Sequence, residues 1–186
     1  NLTTGGIEFE PVKNLTFRLN MTYKALKAAD ATRFSLAYFD ELGNIENQVK
    51  QYETQYVVDY TPKRRTVNHG VERLEVDWNY PRLLFSYTQG LKGVFDSDFD
   101  YDKLQLYYRQ PILIGGFGRF TSTFEAGKIF GHVPLGLMGV IPGNQSWFGI
   151  ENTFNNMNYY EFMADEYVSL HLEHNFGGRL FSRIPG

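Results

Sequence analysis

The chain has 186 residues, 21% of them charged, a formal net charge of −3 and no cysteine. That length provides for one domain with a sizeable interior, the charge balance offers nothing to a nucleic-acid backbone, and disulfides and thiolate metal sites are excluded. Aromatics reach 17%, with 16 Phe, 13 Tyr and 18 Gly, a mix that favours strands and turns. The longest apolar run, VPLGLMGVIPG, is broken by Gly and Pro, so no helix is long enough to cross a membrane.

The first element is a short strand over 7–10. The second, LTFRLNMTYKAL at 15–26, alternates without a miss. Leu15, Phe17, Leu19, Met21 and Tyr23 share one face, and Thr16, Arg18, Asn20, Thr22 and Lys24 share the other. A period of two means a strand with one apolar and one polar face. A weaker strand is expected over 34–40. In QYETQYVVDY, Tyr52, Tyr56, Val58 and Tyr60 oppose Glu53, Gln55 and Asp59. In RLEVDWNYP, Leu74, Val76, Trp78 and Tyr80 oppose Arg73, Glu75, Asp77 and Asn79. Another weak strand covers 83–91. In DKLQLYYRQ, Leu104, Leu106 and Tyr108 oppose Lys103, Gln105 and Arg109. In GRFTSTFEAG, Phe120, Phe124 and Ala126 oppose Arg119, Thr121, Thr123 and Glu125. In YVSLHLEHNF, Val168, Leu170, Leu172 and Phe176 oppose Ser169, His171, Glu173 and Asn175. The total is about nine strands, without an amphipathic helix.

The connectors PVKN (11–14), the NYP corner (79–81) and LIGGFG (113–118) are tight, whereas TPKRRTVNHG, QGLKGVFDSDFD and above all 128–165 are long. Short turns at one end and long loops at the other describe an all-β, up-and-down antiparallel sheet in a single domain spanning 1–186.

Two media fit the alternation. A soluble antiparallel β-barrel or sandwich, acting as a binding module, would turn its apolar face inward. A transmembrane β-barrel would turn it to lipid and its polar face to a lumen. Three features favour the second. The clear strands run for about ten residues, the length a tilted strand needs to cross a bilayer. Tyr23, Tyr52, Tyr60, Trp78, Tyr80, Tyr101, Tyr108 and Tyr167 cluster near strand ends, as interfacial girdles do. Charges of both signs, among them Arg18, Asp59 and Glu75, lie in mid-strand on the polar face, where a wet lumen lets them pair. Only a closed sheet leaves no backbone group unpaired in hydrocarbon.

A set of local sequences carries a family resemblance. It comprises Gly127-Lys128, Val133-Pro134, Pro142-Gly143-Asn144, Phe154-Asn155, the run MNYYEF from Met157 to Phe162, Asp165, and LEHNF from Leu172 to Phe176. Upstream, NYPRLLFSYTQGLKGVFDSDFDYDKL adds a Y-P corner and a G-x-K-G loop. Together they resemble a Bacteroidota outer-membrane family of unknown function, whose members carry a carboxypeptidase-regulatory-like domain ahead of a large barrel. That family is distantly similar to the surface-antigen, BamA-like superfamily. The resemblance implies a bacterial outer-membrane location and contact with lipid and lipopolysaccharide, and with other outer-membrane or periplasmic proteins. It also implies a role as a scaffold or conduit in protein, lipid or solute handling. In the superfamily a long loop enters the lumen with an Arg-Gly-aromatic tip. Here MNYYEF has neither Arg nor Gly, so the fold is implied and an insertion activity is not. The chain begins at Asn1 and ends RIPG without a terminal aromatic, so it is read as a partial barrel, the C-terminal region of a longer chain.

The candidate site follows. The 128–165 loop, with Tyr160 among its aromatics, is expected to turn into the lumen with Glu161 or Asp165 meeting Arg109 or Arg119; the competing reading is a surface loop that packs on itself or binds a partner. Glu125, His171 and Glu173 join them on the polar face. In HLEH, His171 and Glu173 share a face and His174 points away, which defeats a zinc site. Gly115-Gly116-Phe117-Gly118 joins two strands without a following helix, and so is a turn, not a phosphate cradle. Lys63-Arg64-Arg65 reads as a solvated loop, with lipopolysaccharide contact as its functional alternative. Ser86, Ser122 and Ser146 have no base partner in the pattern. No enzyme, cofactor or metal is expected.

Overall fold

The computed structural model describes residues 1–27, 37–40, 42–144, 153–155, 157 and 162–178. Seven strands form one antiparallel sheet: β1 Leu2–Val12, β2 Leu15–Lys27, β3 Gln48–Tyr60, β4 Arg82–Gly90, β5 Tyr101–Leu113, β6 Arg119–Phe130 and β7 Glu166–Asn175. Each pairs only with its sequence neighbours, in the order β1 to β7. The all-β, up-and-down expectation is met to that extent. No helix of the described residues is long and apolar enough to cross a membrane, which says nothing of crossing with strands.

The alternation sets the two faces, and the register aligns them from strand to strand. One row runs Phe9, Phe17, Val58, Phe85, Leu106, Ala126 and Val168, crossing all seven strands without a polar residue. A second row runs Leu15, Tyr60, Leu83, Tyr108, Phe124 and Leu170. This apolar face is uncovered: Phe85 is 42% exposed, Phe9 57% and Val168 69%. The buried apolar cluster is small and lies on the opposite face, at the long-loop end. There Val49, Tyr101, Ile129 and Leu137 meet Leu26, Tyr38, Phe99 and Val133. Phe17, Leu19, Leu106 and Phe124 are not part of it.

Sequence reasoning erred over RLEVDWNYP. Only Glu72–Glu75 is extended, and it pairs with Thr66–His69 in a separate hairpin. Val76 N–H donates to the Arg65 carbonyl at 3.0 Å, and Asp77 accepts from Asn79 N–H at 3.0 Å, which turns the chain out of extension. The local period of two is real, since Val67 opposes Leu74, but these backbone groups are satisfied within the connector. Two tight turns, 13–14 and 114–118, therefore share their end of the sheet with the long 61–81 connector. The strand ends that lead into 28–47, 91–100 and 131–165 lie at the other end. Of the expected girdle, Tyr23 and Tyr52 face the apolar side with Phe95 between them, at ring distances of 6.4 and 5.4 Å. Tyr101 and Tyr167 instead turn to the polar side.

β3 extends beyond the end of β4, and the 91–100 connector covers the surplus with side chains in place of a strand. Lys50 N–H donates to Asp98 at 2.7 Å and Tyr52 N–H to Ser97 Oγ at 2.7 Å. Gln51, fully buried, donates to the Phe99 carbonyl at 2.9 Å and accepts from Phe99 N–H at 3.2 Å. Gln51→Ala would strand both Phe99 groups. A loss of about 1–2 kcal/mol is expected, measured as a lower denaturant midpoint at unchanged slope.

Candidate functional site

The polar face carries a connected network. Arg18 bridges Glu8 at 3.7 Å and Asp59 at 3.3 Å, and Arg82 grips the same Asp59 through two nitrogens at 3.0 and 2.6 Å. Arg82 stands directly opposite Arg109, a like-charged pair that is repulsive, and on its other side Asp59 supplies the carboxylate that lies between Arg82 and Arg18. Next to these, Asn20 donates to Gln55 at 3.1 Å and Gln55 to Ser86 at 3.0 Å. Further toward the long-loop end, Glu53 receives both Lys24 and the Tyr101 hydroxyl.

Two glycines make room for rings on this face. A Cβ on Gly127 would overlap the Tyr167 ring, and one on Gly90 would overlap Tyr101. Tyr167 thereby lies across β6 and accepts from Gln105 of β5 at 3.2 Å. Glycines covered by a neighbouring aromatic are a device of strongly curved sheets.

Curvature is also visible in a cavity of about 380 Å³ that touches Arg18, Gln55, Ser86, Gln105, Glu125 and Tyr167, one residue from each strand β2 to β7. In a flat sheet β2 and β7 stand roughly 24 Å apart, five strand spacings. A cavity of this size reaches both where the polar face is concave and the Arg18 and Tyr167 side chains lean inward over β3 and β6.

The 61–81 connector crosses the short-turn end of this concavity. Glu10 of β1 holds Arg73 at 3.0 Å and Arg64 at 3.5 Å, while Arg109 of β5 donates to the Trp78 carbonyl at 3.2 Å. The strap so formed reaches across four strand spacings. Within it the buried Tyr80 hydroxyl donates to Glu75 at 2.7 Å. Burial, then the Glu75 hydrogen bond and charge, push the Tyr80 hydroxyl from the ordinary 10 up to about 12. The folded state holds the neutral phenol, so this contribution is whole below pH 10 and is lost as pH rises through 12. The strap is expected to loosen across that window. Trp78 emission should shift there, and Tyr80→Phe should abolish the shift.

Of the residues singled out from sequence, Arg109, Glu125, His171 and Glu173 do share the polar face; His171 opposes Thr123 and Glu173 opposes Thr121. His174 turns to the apolar side, opposite Phe120, and stacks on Phe176 at 4.2 Å. Arg119 opposes Asn175 and borders a separate cavity of about 530 Å³ with Asn79 at the short-turn end. Asp165 lies at the other end, its carbonyl accepting from Ile129 N–H at 2.7 Å. Along the strands it is roughly 30 Å from Arg119 and roughly 20 Å from Arg109, so the expected Asp165 pairing with either arginine is not formed. Tyr160 and Glu161 lie outside the described residues. Arg64, read as part of a solvated loop, is held by Glu10 instead.

Sequence reasoning missed Arg82, Glu10 and Gln51 as organising residues. Strand parity carried the signal for Arg82: with Leu83 and Phe85 on the apolar face, Arg82 and Ser86 had to face Asp59. Glu10 and Gln51 carried none, because their partners are connector backbones.

A family model described as the C-terminal domain of a family of unknown function, DUF5686, matches residues 40–186. The match begins upstream of the segments that carried the resemblance. No curated protein and no solved structure matches the chain.

Proposed function

Starting from the fact that the chain belongs to the DUF5686 family, we propose that it forms part of a β-barrel in the bacterial outer membrane. One observation carries this reading: an uncovered apolar row crosses seven strands while charged and amide groups gather on the concave side. A soluble sheet does the reverse, since apolar burial is what holds it together. Patches beyond a few hundred Å² are rare on soluble monomers.

The dimensions support it. From Tyr23 to Leu15 on β2 the apolar face extends roughly 26 Å along the strand; tilted by about 40°, that stretch covers roughly 20 Å of height, of the same order as the apolar band of about 25 Å in such barrels. In this reading the long connectors face outward from the cell and the short turns face the periplasm. The edges of β1 and β7, unpaired among the described residues, are joined by further strands that close the sheet, because an open edge is not tolerated in lipid.

The role is that of a membrane-embedded scaffold or conduit, in contact with lipid and lipopolysaccharide and with outer-membrane or periplasmic proteins, and without catalysis. Its polar interior is narrowed at both ends, by the Val49–Leu137 cluster on one side and the 61–81 strap on the other, which favours an occluded scaffold over an open pore. The test is partitioning. The native protein should require detergent and migrate differently in gels before and after boiling; a protein that stays soluble without detergent and migrates identically overturns the proposal.

A further inference from the structure

At the short-turn end the last row of the polar face runs Leu113, Arg119 and Asn175 across β5, β6 and β7. All three line the cavity of about 530 Å³ that Arg119 and Asn79 border, a volume within the range of ligand sites. The 114–118 turn makes one wall. Gly118, at φ 102°, lies so close to β7 that a Cβ there would collide with the Asn175 carbonyl. Asn79 enters from the 61–81 strap, which Arg109 holds through the neighbouring Trp78 carbonyl at 3.2 Å. Leu113 is 65% exposed, so water reaches this row directly. The donors in the lining are unspent. Among the described residues the Arg119 guanidinium has no ion pair or hydrogen bond, and the side-chain nitrogens of Asn79 and Asn175 donate to no protein group. The Asn175 amide oxygen is taken by Gly177 N–H at 2.8 Å, which leaves the nitrogen as its open end. Two acids stand close by but outside the lining: Asp77, which accepts from Asn79 N–H at 3.0 Å, and Glu173, one row inward opposite Thr121. Among the described residues Arg119 is the only charged one in the lining.

We infer that this cavity binds the oxyanion group, carboxylate or phosphate, of a soluble ligand that enters from the short-turn end. A guanidinium presents a planar fork that takes two oxygens of one such group, and the two amides add donors beside it. The turn shapes the site without cradling the anion through its backbone, since no helix follows it. The inference goes beyond the membrane reading and does not depend on it, because this end of the sheet meets water in either medium. In the membrane reading the ligand is periplasmic.

Inorganic phosphate and acetate are the probes, added to the full chain in an uncharged maltoside detergent. The phosphorus NMR line of phosphate should broaden in the presence of the native protein, and acetate should reverse the broadening. Arg119→Gln should reduce it severalfold, and Asn79→Ala, a change on an exposed connector, should reduce it by a smaller factor. Arg65→Gln, at an exposed arginine of the same strap, should leave it unchanged. Circular dichroism reports whether each variant folds. No broadening with the native protein overturns the site. So does broadening that survives Arg119→Gln, or that falls equally with Arg65→Gln. Should Arg119→Gln fail to fold, unchanged broadening with Asn79→Ala overturns the site instead. Broadening that acetate leaves untouched overturns the carboxylate half of the inference. A protein that stays soluble without detergent fails the membrane reading alone, and the same titration then runs in buffer.

Discussion

Phe85→Arg is expected to destabilise the protein by about 2–4 kcal/mol in a bilayer, the cost of an arginine on the lipid face at mid-depth. Phe85 sits in the central apolar row and is 42% exposed. On a water-facing surface the same change would fall within about 0.5 kcal/mol of neutral, so the two media give results several-fold apart. Depth supplies the internal control. Ile112 faces the same side near the short turns, opposite Phe120, and Ile112→Arg should cost only about 0–1 kcal/mol. Denaturant titration of both variants in vesicles reads the difference. Equal, small effects at the two positions would mean that no hydrocarbon meets this face.

The second large effect belongs to Asp59. It accepts three contacts from Arg18 and Arg82, at 3.3, 3.0 and 2.6 Å, and its side chain is 12% exposed. Removing it leaves two guanidiniums side by side, with Arg109 opposite the second. A fully buried ion left alone costs about 3–5 kcal/mol. Arg82 and Arg18 keep 40% and 30% of their side-chain exposure, so water screens part of this, and about 2–3 kcal/mol is expected for Asp59→Ala. Combining it with Arg82→Met should restore part of the loss, because the second change removes one of the orphaned charges. A double-mutant cycle isolates that coupling; strict additivity would show that the network is ornamental to stability.

What could be read in advance, and what could not, follows from where each interaction closes. Period-two alternation reports which face a residue takes, and it did so for Phe17 against Arg18, Leu106 against Gln105, and Leu172 against His171. It does not report which strand lies alongside. RLEVDWNYP alternates as well as any true member of the sheet, yet its partner is the hairpin strand Thr66–His69. Long-range polar contacts were harder still. Asp165 was matched to Arg109 and Arg119 by charge alone, and the strand register separates them. Gln51 drew no reading at all, and its burial depends on a connector folding back over β3. The two tyrosines over glycine, Tyr167 and Tyr101, were mistaken for interfacial aromatics because an absent Cβ on the neighbouring strand is invisible to any local pattern.

The pairing of every strand with its immediate sequence neighbours also bears on how the molecule is assembled. Each ladder closes over one connector, and loop-closure entropy grows only slowly with connector length, about 0.6 kcal/mol for each doubling. Even the longest excursion, between β6 and β7, thus adds little to the barrier set by local topology. At every stage the newest strand presents the free hydrogen-bonding edge that the following one needs. Growth can proceed hairpin by hairpin in the order of synthesis, and the template for each addition is the strand laid down just before it.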